Sequence, residues 1–189
     1  MEKTLKKLNW IIASSFVLSV VTGCNTIPPY KDPIESNASQ LTIKNHYYNP
    51  LLVVGYGNTQ TCQDMVYFNG TPLIEPDLSK TIKIPAHKEF VFFTGAGKVV
   101  SVKTQPNLGV VTEVCQTIFS FVPKENSNYI AEINVNHQEN KCIYSLKEIK
   151  TSGESETPDS LKFIKYQAPF VASSPQCKNP LNKPSQSDS

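Results

Sequence analysis

The chain contains no arginine; all eighteen of its basic residues are lysines. That removes the planar guanidinium fork best suited to bidentate recognition of phosphates and carboxylates. Its one tryptophan, Trp10, lies in an apolar N-terminal stretch, so the rest of the chain lacks the large ring favoured for stacking on sugars, which argues against carbohydrate recognition. Only three histidines occur, His46, His87 and His137, with no His-x-His and no His-Glu-x-x-His among them. Isolated histidines on β segments are read as solvated side chains rather than metal ligands. Neither Gly-x-Ser-x-Gly nor Ser-x-x-Lys is present, so the common serine-hydrolase signatures are missing and only a triad assembled by tertiary geometry would remain. No catalytic residue, metal or cofactor is therefore expected. Gly55-Tyr56-Gly57 and Gly95-Ala96-Gly97 lack the third glycine and following helix of a nucleotide-binding loop, and are read as hairpin turns.

What is present begins with a processing signal. Three lysines occur in the first seven residues, and Leu8 to Val21 are apolar apart from Asn9 and three serines. This run is shorter than the roughly 20 residues needed to cross a bilayer as a helix, so it reads as an export signal, residues 1–23, rather than a permanent span. The four residues that close this run, Val21-Thr22-Gly23-Cys24, resemble the lipobox of bacterial lipoproteins. The resemblance implies that Cys24 becomes the lipidated N-terminus and carries three acyl chains. At about 0.8 kcal/mol per buried CH₂, release from the membrane should then be negligible. Asn rather than Asp at position 25 implies, within the same resemblance, passage to the outer membrane, facing the periplasm or the outside.

Removal of the signal takes away three lysines and Glu2, which leaves fifteen lysines against fifteen acidic residues. A chain of balanced charge offers no obvious basic stripe for displacing counterions, so nucleic acid is not an expected partner. Five cysteines are an odd number for an exported protein. Assigning Cys24 to the lipid leaves Cys62, Cys115, Cys142 and Cys177, which can form two disulfides in an oxidising compartment. Their spacings are too wide for the Cys-x-x-Cys of zinc or redox sites. Of the three possible pairings we favour Cys62 with Cys115, both in strand regions, and Cys142 with Cys177, which would pin the tail.

Residues 24–38, with three prolines and no apolar periodicity, read as a semi-extended tether that lets the domain stand off the membrane. Residues 39–150 carry strand after strand. Tyr129, Ala131, Ile133 and Val135 alternate with polar neighbours, and Cys142, Tyr144 and Leu146 repeat the pattern after a polar turn, which predicts a hairpin. Further strands are expected at Leu41–Tyr48, Leu51–Tyr56, Met65–Phe68, Thr81–Ile84, Glu89–Thr94, Val99–Lys103 and Val110–Val122. The last is expected to bend or bulge near Cys115, where its apolar positions change face. Frequent turns between short strands predict an all-β chain folded as an antiparallel β-sandwich, with a small β-barrel as the alternative. The segments Ile82 to Phe92 and Phe121 to Cys142 are similar in general pattern to immunoglobulin-like sandwiches of small envelope lipoproteins. Residues 151–189 form a polar tail, with an exposed loop at Thr151–Asp159, an edge strand at Leu161–Tyr166 and disorder at 180–189. Phe90 and Phe92 are expected in the core. Phe93, and one of Tyr47 and Tyr48, would point to the opposite face, toward either a contact patch or further packing.

A lipid tether, a β scaffold and no catalytic constellation point to an envelope lipoprotein that docks an envelope protein partner. The alternative is a ligand-binding or hydrolase-inhibiting module; the Ser-Gly motif of lipoproteins that inhibit lysozyme is not recognisable.

Overall fold

A computed structural model of the protein describes residues 27–68, 70–103, 109–136, 141–166 and 176–177. The expected export signal, Cys24, His137 and the C-terminal tip lie outside them. The described residues contain eleven strands: β1 (Ser39–Asn45), β2 (Leu51–Asn58), β3 (Gln63–Tyr67), β4 (Leu73–Ile74), β5 (Ser79–Ile84), β6 (Phe90–Lys103), β7 (Gly109–Phe121), β8 (Asn128–Asn136), β9 (Lys141–Ile149), β10 (Ser155–Glu156) and β11 (Lys162–Ile164). They form two sheets, ordered β10-β9-β8-β1-β5 and β11-β7-β6-β2-β3, with β4 alongside the start of β2. The fold is thus a β-sandwich, as its turn-rich alternation predicts. All pairings are antiparallel except β1 with β8.

The two sheets differ in how many faces they bury. On the first sheet, hereafter the β8 sheet, Leu41, Ile43, Ile82, Ile84, Tyr129, Ala131, Ile133 and Leu146 point inward and are buried. Its outer face is solvated and mostly polar, with Thr42 and Thr81 hydroxyls hydrogen-bonded at 2.8 Å, Lys44 paired with Glu132 at 3.4 Å and Ile143 exposed. That is the one-sided pattern of an antiparallel sheet that meets water. The second sheet, hereafter the β6 sheet, is buried on both faces. Its inner face contributes Val53, Phe90, Phe92, Phe119 and Phe121 to the main core. On its outer face Val54, Tyr56, Val91, Phe93 and Ile118 form a second cluster with Ile164, Cys62 and Cys177, against which Met65 and Tyr166 pack.

The C-terminal segment therefore covers that outer face. Tyr166 bridges to Cys177 and lays its ring 4.7 Å from that of Phe93. Gln176 donates its backbone N–H to Thr61 O and accepts a hydrogen bond from the Tyr56 hydroxyl at 2.9 Å. Phe93 is consequently packed, not presented as a contact patch.

The disulfide pairing differs from the expected one. Cys62 pairs with Cys177 and Cys115 with Cys142, each with Cα atoms 5.5 Å apart. The reason lies in the pleat. Cys115 shares its face with Phe119 and Phe121, which look inward, so it meets Cys142 of β9 across the core. Cys62, in the β2–β3 turn, belongs to the outer cluster, where the returning tail brings Cys177. The tail is pinned as expected, but to the β6 sheet.

Both Gly-x-Gly pieces lie inside strands, β2 and β6, and are not turns. A β-carbon on Gly55 would come 2.8 Å from Cζ of the buried Phe68, and one on Gly95 2.5 Å from Cζ of Phe93. The glycines leave room for aromatic rings to lie over the strand. β6 consequently runs unbroken where two strands were expected, and the irregularity expected near Cys115 of β7 falls on its partner, where the β6 register shifts between Val99 and Ser101. Within the region read as an exposed loop, Ser155–Glu156 instead pair with the end of β9.

Candidate interaction surface

The strand directions give the sandwich two ends. At one, the chain crosses from β7 of the β6 sheet to β8 of the other through residues 122–127. Tyr129, buried at the start of β8, accepts the backbone N–H of Lys124 on its hydroxyl at 2.8 Å, the bond of a tyrosine corner. The Glu148 carboxylate, itself buried, accepts from Lys124 Nζ at 2.7 Å and from the Ser127 hydroxyl at 3.0 Å. Ser39 donates its hydroxyl to Lys124 O and accepts the Ser127 N–H. Lys150 adds an ion pair to Glu156 at 2.6 Å, and Lys124 a longer one at 3.5 Å. Lys150 foremost, with Lys124, holds the Glu156 carboxyl below the usual carboxylate range. Both serine hydroxyls donate to oxygens of this network, so its chemistry is that of a clasp across the crossing.

At the opposite end the organising residue is Asn45, completely buried at the end of β1. Its Nδ2 donates to Asn49 O and Ile74 O, both at 2.9 Å, and its Oδ1 accepts from the Tyr47 N–H at 2.9 Å. Its backbone N–H donates to Leu78 O and its carbonyl accepts from the Asp77 N–H. Through side chain and backbone, one residue thus fixes the β1–β2 loop, β4 and the β4–β5 loop together. A buried amide whose partners are all supplied rigidifies its surroundings, whereas a half-satisfied one would cost stability.

That rigid rim carries exposed apolar side chains. Leu52 and Leu73 are cross-strand partners, 37% and 42% exposed. Leu78, 58% exposed, joins Leu73, Ile74, Glu75 and Lys80 in lining a concavity of about 280 Å³. Lys80 spans from β5 of one sheet to the β3–β4 connection of the other, donating Nζ to Phe68 O at 2.8 Å and to Thr71 O. Desolvation lowers its pKa. It forms no ion pair among the described residues, and two carbonyls leave one of its three donors over. The Leu73 N–H is taken by the Thr71 hydroxyl and Ile74 O by Asn45, so the rim offers side chains to a partner and not an open strand edge.

The histidines are not brought together: His46 lies 3.6 Å from Glu132 on the outer face of the β8 sheet, and His87 lies 3.7 Å from Glu125 at the clasp end. No group of three or more potential ligands that could hold a metal occurs among the described residues. Tyr47 is buried and Tyr48 exposed, with their hydroxyls 2.9 Å apart. Neither Asn45 nor Lys80 stands out in the sequence; a polar residue closing an alternating strand is the one local signal that Asn45 gives.

Burial raises the phenol pKa of Tyr30, Tyr56, Tyr129 and Tyr144, with Asp32 and Glu35 adding to the effect at Tyr30 and Tyr166 at Tyr56. A group whose folded pKa is raised contributes stability that is fully present below its unfolded value, about 10 for Tyr, and is lost as pH rises through the folded value. In an ultraviolet titration these four of the eight tyrosines should therefore ionise only as the β-sheet circular dichroism collapses. Reversible ionisation of all eight near the ordinary value, with the fold intact, would contradict the packing described.

Comparison with known proteins finds no matching family model, no similar curated protein and no similar solved structure.

Proposed function

We propose that this chain is a lipoprotein anchored through Cys24 in the outer membrane, and that its sandwich docks an envelope protein partner without catalysing a reaction. The observation that carries the docking reading is the Leu52–Leu73–Leu78 rim: exposed apolar side chains held in place by Asn45, beside an ammonium with no carboxylate partner among the described residues. Exposed apolar groups clustered on a rigid support favour association. The size of the concavity, about 280 Å³, lies just below the roughly 300–1,000 Å³ of sites for drug-sized ligands, and suits one inserted side chain. The occupant that matches this surface is a protein segment presenting an aliphatic side chain with a carboxylate nearby, the charge that would complete Lys80. Clasp and disulfides supply the stiffness that docking at low entropic cost requires.

The test is in-cell cross-linking of the native protein, Cys24→Ala, Leu73→Asp and, as a surface control, Ile143→Asp, which replaces an exposed residue of β9. Exposed substitutions of this kind cost about 0.5 kcal/mol or less, so all four should fold. One partner should be recovered with the native protein and the Ile143 variant and lost with the other two. An unchanged cross-linked set for Leu73→Asp would remove the rim from the argument.

A further inference from the structure

The residues between the lipid and the domain do not all serve as spacer. The Pro28 carbonyl accepts the Tyr67 N–H, and the Tyr30 N–H donates to Tyr67 O at 2.8 Å, so Pro29 pairs in parallel with the edge of β3. Two adjacent prolines pre-set extended geometry and leave no N–H unmet along an edge. The Tyr30 ring packs 5.2 Å from Phe68 and 6.1 Å from Phe90, and its hydroxyl donates to Lys83 O of β5 at 2.9 Å, closing the side of the sandwich between the two sheets. Farther along, Asn37 O accepts the Asn126 N–H. The expected tether is fastened at both ends.

We infer that the segment 27–34 moors the β3 edge of the domain against the bilayer; the inference rests on lipidation of Cys24. Only four Cα steps separate Cys24 from Pro28, so whatever conformation they take, the first fastened residue lies within about 14 Å of the lipidated residue, whereas a free segment to residue 38 could reach about 50 Å. The fastened segment presents Ile27, 38% exposed, and Ile34, fully exposed, aliphatic side chains that gain by entering the headgroup boundary. Lys31, Asp32 and Glu35 beside them sum to a negative charge, so the contact is apolar in origin and draws nothing from anionic lipid. The opposite edge of the same sheet, β11, is four strand spacings or about 19 Å away and faces the aqueous side.

Because the chain has no tryptophan beyond Trp10, one introduced tryptophan reports its own depth in the processed protein. The full lipidated chain bearing Ile34→Trp, reconstituted in phosphatidylethanolamine–phosphatidylglycerol vesicles with brominated acyl chains, should shift its emission to the blue and lose most of its intensity. The Lys162→Trp variant, on β11, should keep its emission, as should Ile34→Trp with a Gly-Ser spacer inserted after Thr26. Intact mass separates the two readings. A chain with no lipid on Cys24 overturns the anchor and the mooring with it. A lipidated chain in which the Ile34→Trp emission is unquenched, or in which both sites are quenched alike, overturns the mooring and leaves the anchor standing.

Discussion

Replacing Cys62 and Cys177 together by alanine should lower the melting temperature by roughly 9–19 °C. The bond spans 115 residues; closing a loop of that length constrains the unfolded chain by about 4.7 kcal/mol on the chain-entropy account, and each kcal/mol corresponds to about 2–4 °C for a chain of this size. Loss of the bond also frees the segment that shields Val54, Phe93 and Ile118, so the variant should bind hydrophobic dyes more strongly than the native protein. Cys115→Ala with Cys142→Ala opens a span of only 27 residues, worth about 3.5 kcal/mol, but it cuts the covalent link between the sheets. Non-reducing peptide maps decide the premise: fragments joining Cys62 to Cys115 and Cys142 to Cys177 would refute the topology of the tail. A smaller shift for the long loop than for the short one would mean that release of the tail in the folded state offsets part of what the unfolded chain gains.

The fastening of the tail marks where the sequence stops being legible. Alternation located nine of the eleven strands, because burial of one face leaves a period-2 trace in the residues themselves. It missed β4 and β10, two residues each, which are too short to carry a period. The face of a strand can be read locally; what covers that face cannot. Phe93 and Val54 sit on an outer face that ordinarily meets water, and they are buried by residues more than seventy positions away. Gly55 is illegible for the same reason, since its ring, Phe68, comes from another strand's end, whereas the ring over Gly95 is that of Phe93, two residues earlier on the same face, and needs only the strand assignment to be read. Tyr30 was hidden among prolines that reported extended chain correctly and attachment not at all. The pairing of Cys115 was within reach, because its parity with Phe119 and Phe121 already placed it inward.

Of the candidate surface almost nothing was legible. Leu52, Leu73 and Leu78 are apolar residues in or beside short strands, and apolar residues there are ordinarily core. Their exposure follows from the positions of β4 and the β4–β5 loop, which Asn45 sets through bonds to three segments of chain. A buried polar residue that organises loops leaves no periodic signature, and the rim it builds is visible only once those loops converge. Asn45→Ala would orphan several backbone groups at once, which is why a surface probe such as Leu73→Asp is the better test of docking.

The second large effect belongs to the core. Phe119 is fully buried and stacks on Phe92 with ring centroids 4.7 Å apart and planes 1° from parallel. Its edges meet Tyr144 across the sandwich and Phe163 on β11. Phe119→Ala therefore removes a ring that ties three strands of two sheets, and should cost about 3–5 kcal/mol in urea unfolding. Phe163, half exposed at the sheet edge, contributes to the same cluster but lets water replace what it loses, so Phe163→Ala should cost no more than about 1.5 kcal/mol. Phe119→Leu should recover most of the loss, since it fills much of the volume while sacrificing the stack. If the two alanine variants unfolded at the same urea concentration, the aromatic cluster would be centred at the open edge, and the division of the sandwich into a packed interior and a solvated β11 margin would have to be redrawn.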